Sequence, residues 1–231
     1  MADQIFTFWE GPKPAYIDLC LKTWKFPYTV LNYDNLSKYT DFDAHKADKF
    51  TLPQIADCVR VHVLKDSGGC WLDADTIMLG NELPAVAILG NDATRDNTIG
   101  FLRADAVPDM FIQWAAYQDS VLQQSNPPHH WDVMGNAFTN PYLKEHSEIY
   151  IGRLDKYHAE CSLVESLSSN KDRYKVFYFE KHRHLTDIDN ASMLMLHNSW
   201  TPGWYKKLST HEVFAQSCTM SNILREVLCN I

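Results

Sequence analysis

Two aspartates, Asp73 and Asp75, are separated only by Ala74 and directly follow the apolar run Cys70-Trp71-Leu72. Two carboxylates facing one pocket repel each other unless a cation sits between them. An oxygen-rich site of that kind suits Mg2+ or Mn2+ bridging a diphosphate. A metal there would neutralise the charge that builds on a leaving phosphate. The plain reading is a solvated turn, and the buried-looking run ahead of the pair weighs against it. Upstream, Asp57 and Arg60 stand at i and i+3 of a predicted helix and share one face. As a surface salt bridge they would contribute only ~0–1 kcal/mol. Directed into the pocket of Asp73, they could bind ligand hydroxyls and orient the aspartates.

The elements that must hold these residues read as alternating strands and helices. Gln4 to Phe8 and Tyr28 to Tyr33 predict strands, with a helix over Pro14 to Trp24 that Pro27 ends. The clearest helix follows Thr51, a capping residue completed by Gln54 three positions on. Ile55, Val59, Val63 and Leu64 supply its apolar stripe, and Ser67-Gly68-Gly69 terminates it. Cys70-Trp71-Leu72 then re-enters as a strand, and Thr76 to Leu79 continues extended. Further strands are expected at Ala85–Leu89, Thr98–Leu102, Tyr174–Phe179 and Ser192–Leu196. Helices are expected at Asp109–Gln124 and Phe138–His146, with one or two more over Thr210–Leu228. This order predicts an α/β fold with a parallel sheet, whose ligands bind beyond the carboxyl ends of the strands. Asp73 and Asp75 follow one such end.

Composition narrows the function. A chain of 231 residues, 45% hydrophobic, has enough apolar material for one packed domain. The net charge of -8 argues against wrapping a nucleic acid, which needs a basic face. No apolar run reaches the ~18–20 residues of a membrane span. The opening Met1-Ala2-Asp3-Gln4 lacks a basic-then-apolar leader, so a cytosolic location is expected. The six cysteines include no Cys-x-x-Cys pair, and reduced, mostly buried thiols are expected.

Asp57-Cys-Val-Arg60, Leu64, Gly68-Gly69 and Trp71-Leu72-Asp73-Ala74-Asp75 together form the pattern Asp-x-x-Arg…Gly-Gly-hydrophobic-x-Asp-x-Asp. This composite resembles the Asp-x-Asp sugar-nucleotide glycosyltransferases of the capsular-polysaccharide and mannosyltransferase-like group. Those enzymes are distantly similar to the glucosylating domains of large clostridial toxins. Ile5-Phe6-Thr7-Phe8-Trp9-Glu10-Gly11 looks like the family's opening strand, and Leu31-Asn32-Tyr33-Asp34 like its second. His197-Asn198-Ser199-Trp200 resembles its C-terminal His/Ser/Trp loop. The resemblance weakens between residues 103 and 190.

The resemblance implies a GT-A domain over residues 1–231: a single Rossmann-like, mostly parallel sheet flanked by helices, with C-terminal helices. The nucleotide-sugar half would cover about residues 1–102, and the acceptor half with its closing loop about 103–231. It further implies a UDP-sugar donor with Mn2+ or Mg2+. Trp9 would stack on uracil, and Asn32 and Tyr33 would lie beside the nucleoside. Asp73 would contact ribose and the metal, Asp75 would ligate the metal, and His197 would add a third ligand. Asp57 and Arg60 would orient the reacting groups. Ser199, Trp200 and Lys206 or Lys207 would meet the diphosphate. As plain readings, Trp9 and His197 would be core residues and the paired lysines solvated ones. The implied reaction is retaining transfer of a hexose to a glycan hydroxyl in surface polysaccharide synthesis, with the leaving diphosphate accepting the proton. An acceptor on a lipid carrier would require peripheral docking at a membrane, for which the C-terminal helices are the candidate.

Some residues fit the pattern poorly. Asn136 departs from a Gly-Pro segment that relatives often carry near the sugar. His129-His130-Trp131-Asp132 reads equally as an acceptor wall or a surface loop. On a strand, His182 and His184 of His182-Arg183-His184 would share a face, suggesting a second metal site that lacks a third ligand. Two rival functions stand beside the main one. A catalytically silent nucleotide-sugar-binding module would keep the same residues. An aspartyl-nucleophile phosphatase needs Thr or Val at position 77, which is Ile.

Overall fold

The structure is a computed structural model that describes residues 4–128, 130–154, 169–188 and 191–229. The chain forms two compact units, and one of the points where it passes from one to the other falls between Asp73 and Ala74. Unit 1 comprises Met1–Glu10, Phe26–Asp73 and Pro84–Leu154; unit 2 comprises Gly11–Lys25, Ala74–Leu83 and Asp155–Ile231.

Unit 1 is built on a six-stranded sheet. Its strands are β1 (Ile5–Phe8), β2 (Tyr28–Leu31), β3 (Cys70–Leu72), β5 (Ile88–Asn91), β6 (Asp96–Arg103) and β7 (Gly152–Arg153), in the order β2-β1-β3-β6-β5-β7. The β1–β2, β1–β3 and β5–β7 pairings are parallel, so the sheet is mostly parallel as expected. β6 runs antiparallel to both β3 and β5. Helices α2 (Leu52–Ser67), α3 (Pro108–Leu122) and α4 (Asn136–Glu145) flank it. Phe6, Val59, Val63, Trp71, Leu102 and Trp114 belong to one continuous apolar core. This is the α/β arrangement that the alternating pattern predicts, and it is of the GT-A-like type that the resemblance implies.

α2 begins as predicted. The Gln54 side chain reaches back to accept from the Thr51 backbone N–H at 3.0 Å and from the Thr51 hydroxyl at 2.8 Å. The helix ends where Gly68 and Gly69 turn left-handed, at φ 68° and 80°. Gly69 has a second constraint: a Cβ there would lie 2.5 Å from the Gln4 carbonyl oxygen. That carbonyl accepts from Cys70 N at 2.9 Å, which starts β3 beside β1. The tight turn therefore sets the register of the strand that carries Asp73.

The strand expected at Ala85–Leu89 begins later, at Ile88, and runs to Asn91. Its partner β6 is irregular. Ile88 pairs with Leu102, while the next residue, Leu89, pairs with Thr98. Ile99, Gly100 and Phe101 thus stand as a bulge with no partner on β5, among the described residues. At the far end of the hairpin, Arg95 adopts a left-handed φ of 61°. Its guanidinium donates to the carbonyls of Leu143, His146 and Ile149 at 2.8–3.0 Å, satisfying the C-terminal turn of α4.

Unit 2 contains α1 (Ala15–Lys22), β4 (Thr76–Met78), α5 (Asn170–Lys175), β8 (Met193–Met195), α6 (Gly203–Lys206), α7 (Thr210–Ala215) and α8 (Thr219–Cys229). β4 and β8 form an antiparallel ribbon. The end of α1 is tied to it: Thr23 Oγ1 accepts from Met78 N, and Trp24 Nε1 donates to Thr76 O, both at 2.8 Å. The strand expected at Tyr174–Phe179 is a helix. Ser169 caps α5 by accepting from Asp172 N, and the coil widens over Val176–Glu180, where Lys181 N bonds back five residues to Val176 O. Tyr174, Phe177 and Tyr178 are buried at helical spacing. Their aromatic content favours a strand by propensity, but burial at i, i+3 and i+4 decides the outcome.

Cys20, Cys58, Cys70 and Cys218 are buried and Cys229 is exposed, with no disulfide among these described cysteines; Cys161 lies outside the described residues. Gly69→Ala should lower unfolding stability by roughly 1–3 kcal/mol, because it adds both a strained φ and a clash with backbone. A urea denaturation series on the variant and the parent chain measures this, and an unchanged midpoint would refute it.

Candidate functional site

The first cluster forms around Arg60. Asp57 and Arg60 fall on the same face of α2, and Asp73 follows β3. Arg60 Nη2 lies 2.9 Å from Asp57 Oδ1 and 3.3 Å from Asp73 Oδ1. Its Nη1 donates to the carbonyl of Ile99, in the β6 bulge. The guanidinium also sits over the Trp71 ring, 5.1 Å from its centroid. The side chains of Arg60 and Asp57 are only 6% and 11% exposed, whereas Asp73 is 36% exposed. This is no solvated surface pair. Burying a charge this deeply is costly unless it is paired and hydrogen-bonded, and removing one partner of such a pair typically costs ~3–5 kcal/mol.

Asp73 is the open member. Its Oδ1 accepts from Trp71 Nε1 at 2.8 Å and faces Arg60, while its backbone N–H donates to Gly100 O at 2.9 Å. Its Oδ2 has no hydrogen-bond partner among the described residues. The carboxylate is thus oriented from one side, with one oxygen left for a ligand.

Asp57 is the closed member. Burial pushes its carboxyl up to about 7; Arg60 opposes this, and the neighbouring Asp73 and Asp132 carboxylates add to it. Gln118 Nε2 donates to the Asp57 carbonyl at 3.0 Å and to Met134 O at 2.7 Å. A Cβ on Gly135 would lie 3.5 Å from Asp57 Oδ2 and 2.6 Å from the Ile99 side chain. Sequence reasoning missed both Gln118 and Gly135 as the backing of Asp57. A lone glutamine on an amphipathic helix carries no signal of that role.

The predicted nucleoside residues sit at the ends of β1 and β2. Trp9 is half-buried; its backbone N–H donates to Leu31 O at 2.9 Å. Its indole Nε1 is buried with no hydrogen-bond partner among the described residues. Asn32 holds a turn, its Oδ1 accepting from Asp34 N and Asn35 N at 3.1 and 3.0 Å. Tyr33 N donates to Glu10 Oε2 at 3.0 Å, and its ring stacks on His45 with centroids 5.1 Å apart. Tyr33 and His45 help to line a cleft of about 370 Å3, with Phe42, Asp41 and Asp43.

The second cluster lies in unit 2 and forms around Asp75. Asp75 Oδ2 accepts from Asn198 N at 2.6 Å, and the Asp75 carbonyl accepts from Leu196 N at 3.1 Å. Tyr16, on α1, donates its hydroxyl to Asn198 Oδ1 at 2.6 Å. The Tyr16 phenol is pushed up by burial first and by the Asp75 charge second. The predicted His/Ser/Trp segment is a tight turn in which the His197 carbonyl accepts from Trp200 N and Thr201 N at 2.9 and 3.0 Å. The His197 and Trp200 rings meet at 3.9 Å between centroids, and Tyr174 abuts both edge-on. His197 and Ser199 are exposed on this turn. Lys206 is half-buried on α6, where burial lowers its ammonium pKa and the charge of Asp75 opposes that shift. Lys207 is exposed. Asn198, inside the quoted motif but given no role, is the residue that binds the turn to Asp75.

Carboxylate oxygens suit hard cations such as Mg2+ or Mn2+, and Asp73 keeps its Oδ2 open. Among the described residues, no three His, Cys, Asp or Glu side chains form a ready-made metal cage. Such ions commonly take the rest of their shell from substrate phosphates and water.

Other candidates resolve into structural roles. Asn136 Nδ2 donates to Asn97 O and Oδ1, both at 3.0 Å, at the start of α4. The His182–His184 stretch forms no strand: His182 pairs with Ser217 at 3.2 Å and His184 with Glu226. His129 lies outside the described residues. No helix among the described residues is long and apolar enough to cross a membrane.

The raised Asp57 pKa gives a signed expectation. The folded chain holds this proton at pH values where the unfolded chain, near 3.8, has released it. Its contribution to stability should therefore fall as pH rises from about 4 to about 7 and level off above that. Asp57→Asn should remove that decline, read as the difference in thermal midpoint between the two proteins across this pH range. Parallel profiles would refute it.

No curated protein matches the chain. A family model described as capsular polysaccharide synthesis protein matches residues 1–185, a span that includes Asp57, Arg60, Asp73 and Asp75 but ends before His197. The chain belongs to this capsular polysaccharide synthesis family.

Proposed function

We propose that the chain is a metal-dependent, retaining glycosyltransferase that moves a hexose from a UDP-sugar to a glycan hydroxyl during polysaccharide synthesis. The observation that carries this reading is the buried Arg60, which fixes Asp73 beyond the end of β3 with one oxygen open. Ligands of α/β sheets bind at that end of the strands. Family membership supports polysaccharide synthesis as the setting.

In this reading Asp73, Asp75 and His197 hold Mn2+ or Mg2+, which when bound supplies positive charge to the leaving diphosphate. Trp9 stacks on the uracil, with Asn32 and Tyr33 beside the nucleoside. Its unpartnered indole N–H supports a role toward a ligand acceptor atom. Ser199, Trp200 and Lys206 meet the diphosphate from the 197–201 turn and α6. Asp57 and Arg60 act as positioning residues, holding the donor so that the acceptor hydroxyl approaches on the face of the departing diphosphate. That diphosphate oxygen accepts the hydroxyl proton, so no side-chain base is assigned. Closure of the 197–201 turn would exclude water from the reacting carbon. The acceptor is a glycan, free or on a lipid carrier at a membrane surface.

Calorimetric titration of UDP, with and without Mn2+, tests the donor site. Binding should need the metal and should weaken at least about tenfold in Asp75→Ala, one decade being about 1.4 kcal/mol. Equal binding without metal would overturn the metal-bridged assignment. Trp9→Ala should weaken UDP binding by roughly 1–3 kcal/mol, the typical worth of a base–aromatic stack. Metal-dependent binding without UDP release from any UDP-hexose would instead mark a silent binding module.

A further inference from the structure

Residues 130–135, ahead of α4, are anchored by hydrogen bonds, yet they present a tryptophan to water. Gln54 Nε2, on α2, donates to the His130 carbonyl at 3.0 Å. Trp114 Nε1 and Gln118 Nε2 both donate to the Met134 carbonyl, at 2.9 and 2.7 Å. Within the loop, Val133 N bonds to His130 O and Gly135 N to Asp132 O. Val133 and Met134 are fully buried, but Trp131 is 77% exposed. Exposure of so large an apolar ring on a fixed frame gains nothing for folding. It does suit binding, because a rigid aromatic loses little conformational freedom when a ligand covers it.

The loop adjoins the Arg60 cluster. Gly135 packs toward Asp57 Oδ2, and the Asp132 carboxylate acts on the Asp57 charge. On either side of Trp131 in the chain, His130 Nδ1 and Asp132 Oδ1 lie 2.6 Å apart, with side chains 52% and 29% exposed. An aromatic face carries a negative quadrupole that attracts the polarised C–H face of a pyranose. The carboxylate and imidazole of the flanking residues offer acceptors and a donor to ring hydroxyls. The carboxylate disfavours a diphosphate, which points to a neutral sugar.

We propose that Trp131 is the stacking platform for a pyranose ring of the acceptor glycan, with the His130–Asp132 pair binding its hydroxyls. This rests on the glycosyl-transfer reading above and adds the acceptor side to it.

The test uses the full chain and three probes: methyl α-D-mannopyranoside, methyl α-D-glucopyranoside and methyl β-D-galactopyranoside. Saturation-transfer difference NMR should show saturation of ring C–H protons of at least one probe. Trp131→Ala should abolish that signal and Trp131→Phe should keep it, while the UDP affinity of both variants in Mn2+ stays within about twofold of the parent. The exposed position makes both variants foldable, and circular dichroism checks this. Undiminished saturation in Trp131→Ala, or none with any probe in the parent, would overturn the platform. So would Trp131-dependent sedimentation with phosphatidylcholine–phosphatidylglycerol vesicles in place of sugar binding. Failure of UDP to bind the parent, with Trp131-dependent sugar saturation intact, would sink the donor reading and leave the platform standing.

Discussion

A single buried guanidinium organises unit 1. Arg60 satisfies two carboxylates, one backbone carbonyl and one indole face at the same time. These partners come from α2 itself, the end of β3, the bulge of β6 and the body of β3. None of them would be useful unless the others were in register, because a charge that deep requires its partners together. The Gly68-Gly69 turn, the capping box at Thr51 and the irregular pairing of β6 are the local means to that register. The exposed carboxylate of Asp73 is what this arrangement leaves facing outward.

Unit 2 uses a different device. Asp75 is held by a backbone N–H, and its neighbour in that bond, Asn198, is held in turn by the Tyr16 hydroxyl. Lys206 lies within its field. Through this relay, neutral groups set the orientation of the carboxylate. The ribbon of β4 and β8 and the docking of Trp24 fix the frame from which this relay extends.

Much of this was legible in the sequence, for physical reasons that differ by element. α2 announced itself by its cap, stripe and glycine stop, all local signals. Asp57 and Arg60 could be placed on one face because helical geometry fixes i and i+3. β3 and the Asp-x-Asp segment followed from an apolar run meeting carboxylates. What could not be read depends on partners distant in sequence. Gln118 clamps Asp57 across 61 positions, and Tyr16 reaches Asn198 across 182. The aromatic run at 174–179 misled because its composition favours a strand while its burial follows a helix. Asn136 likewise spends its amide on Asn97, 39 positions away.

The bulge in β6 changes how this protein can vary. Arg60 and Asp73 each take a bond from that segment through main-chain oxygens, those of Ile99 and Gly100. A main-chain oxygen is present whatever residue occupies the position. Side chains along the bulge can therefore drift without removing the acceptors, whereas an inserted or deleted residue would displace both at once. These two bonds are constrained by the length of the segment more than by its letters, and their importance would escape a comparison that scores residue identity alone.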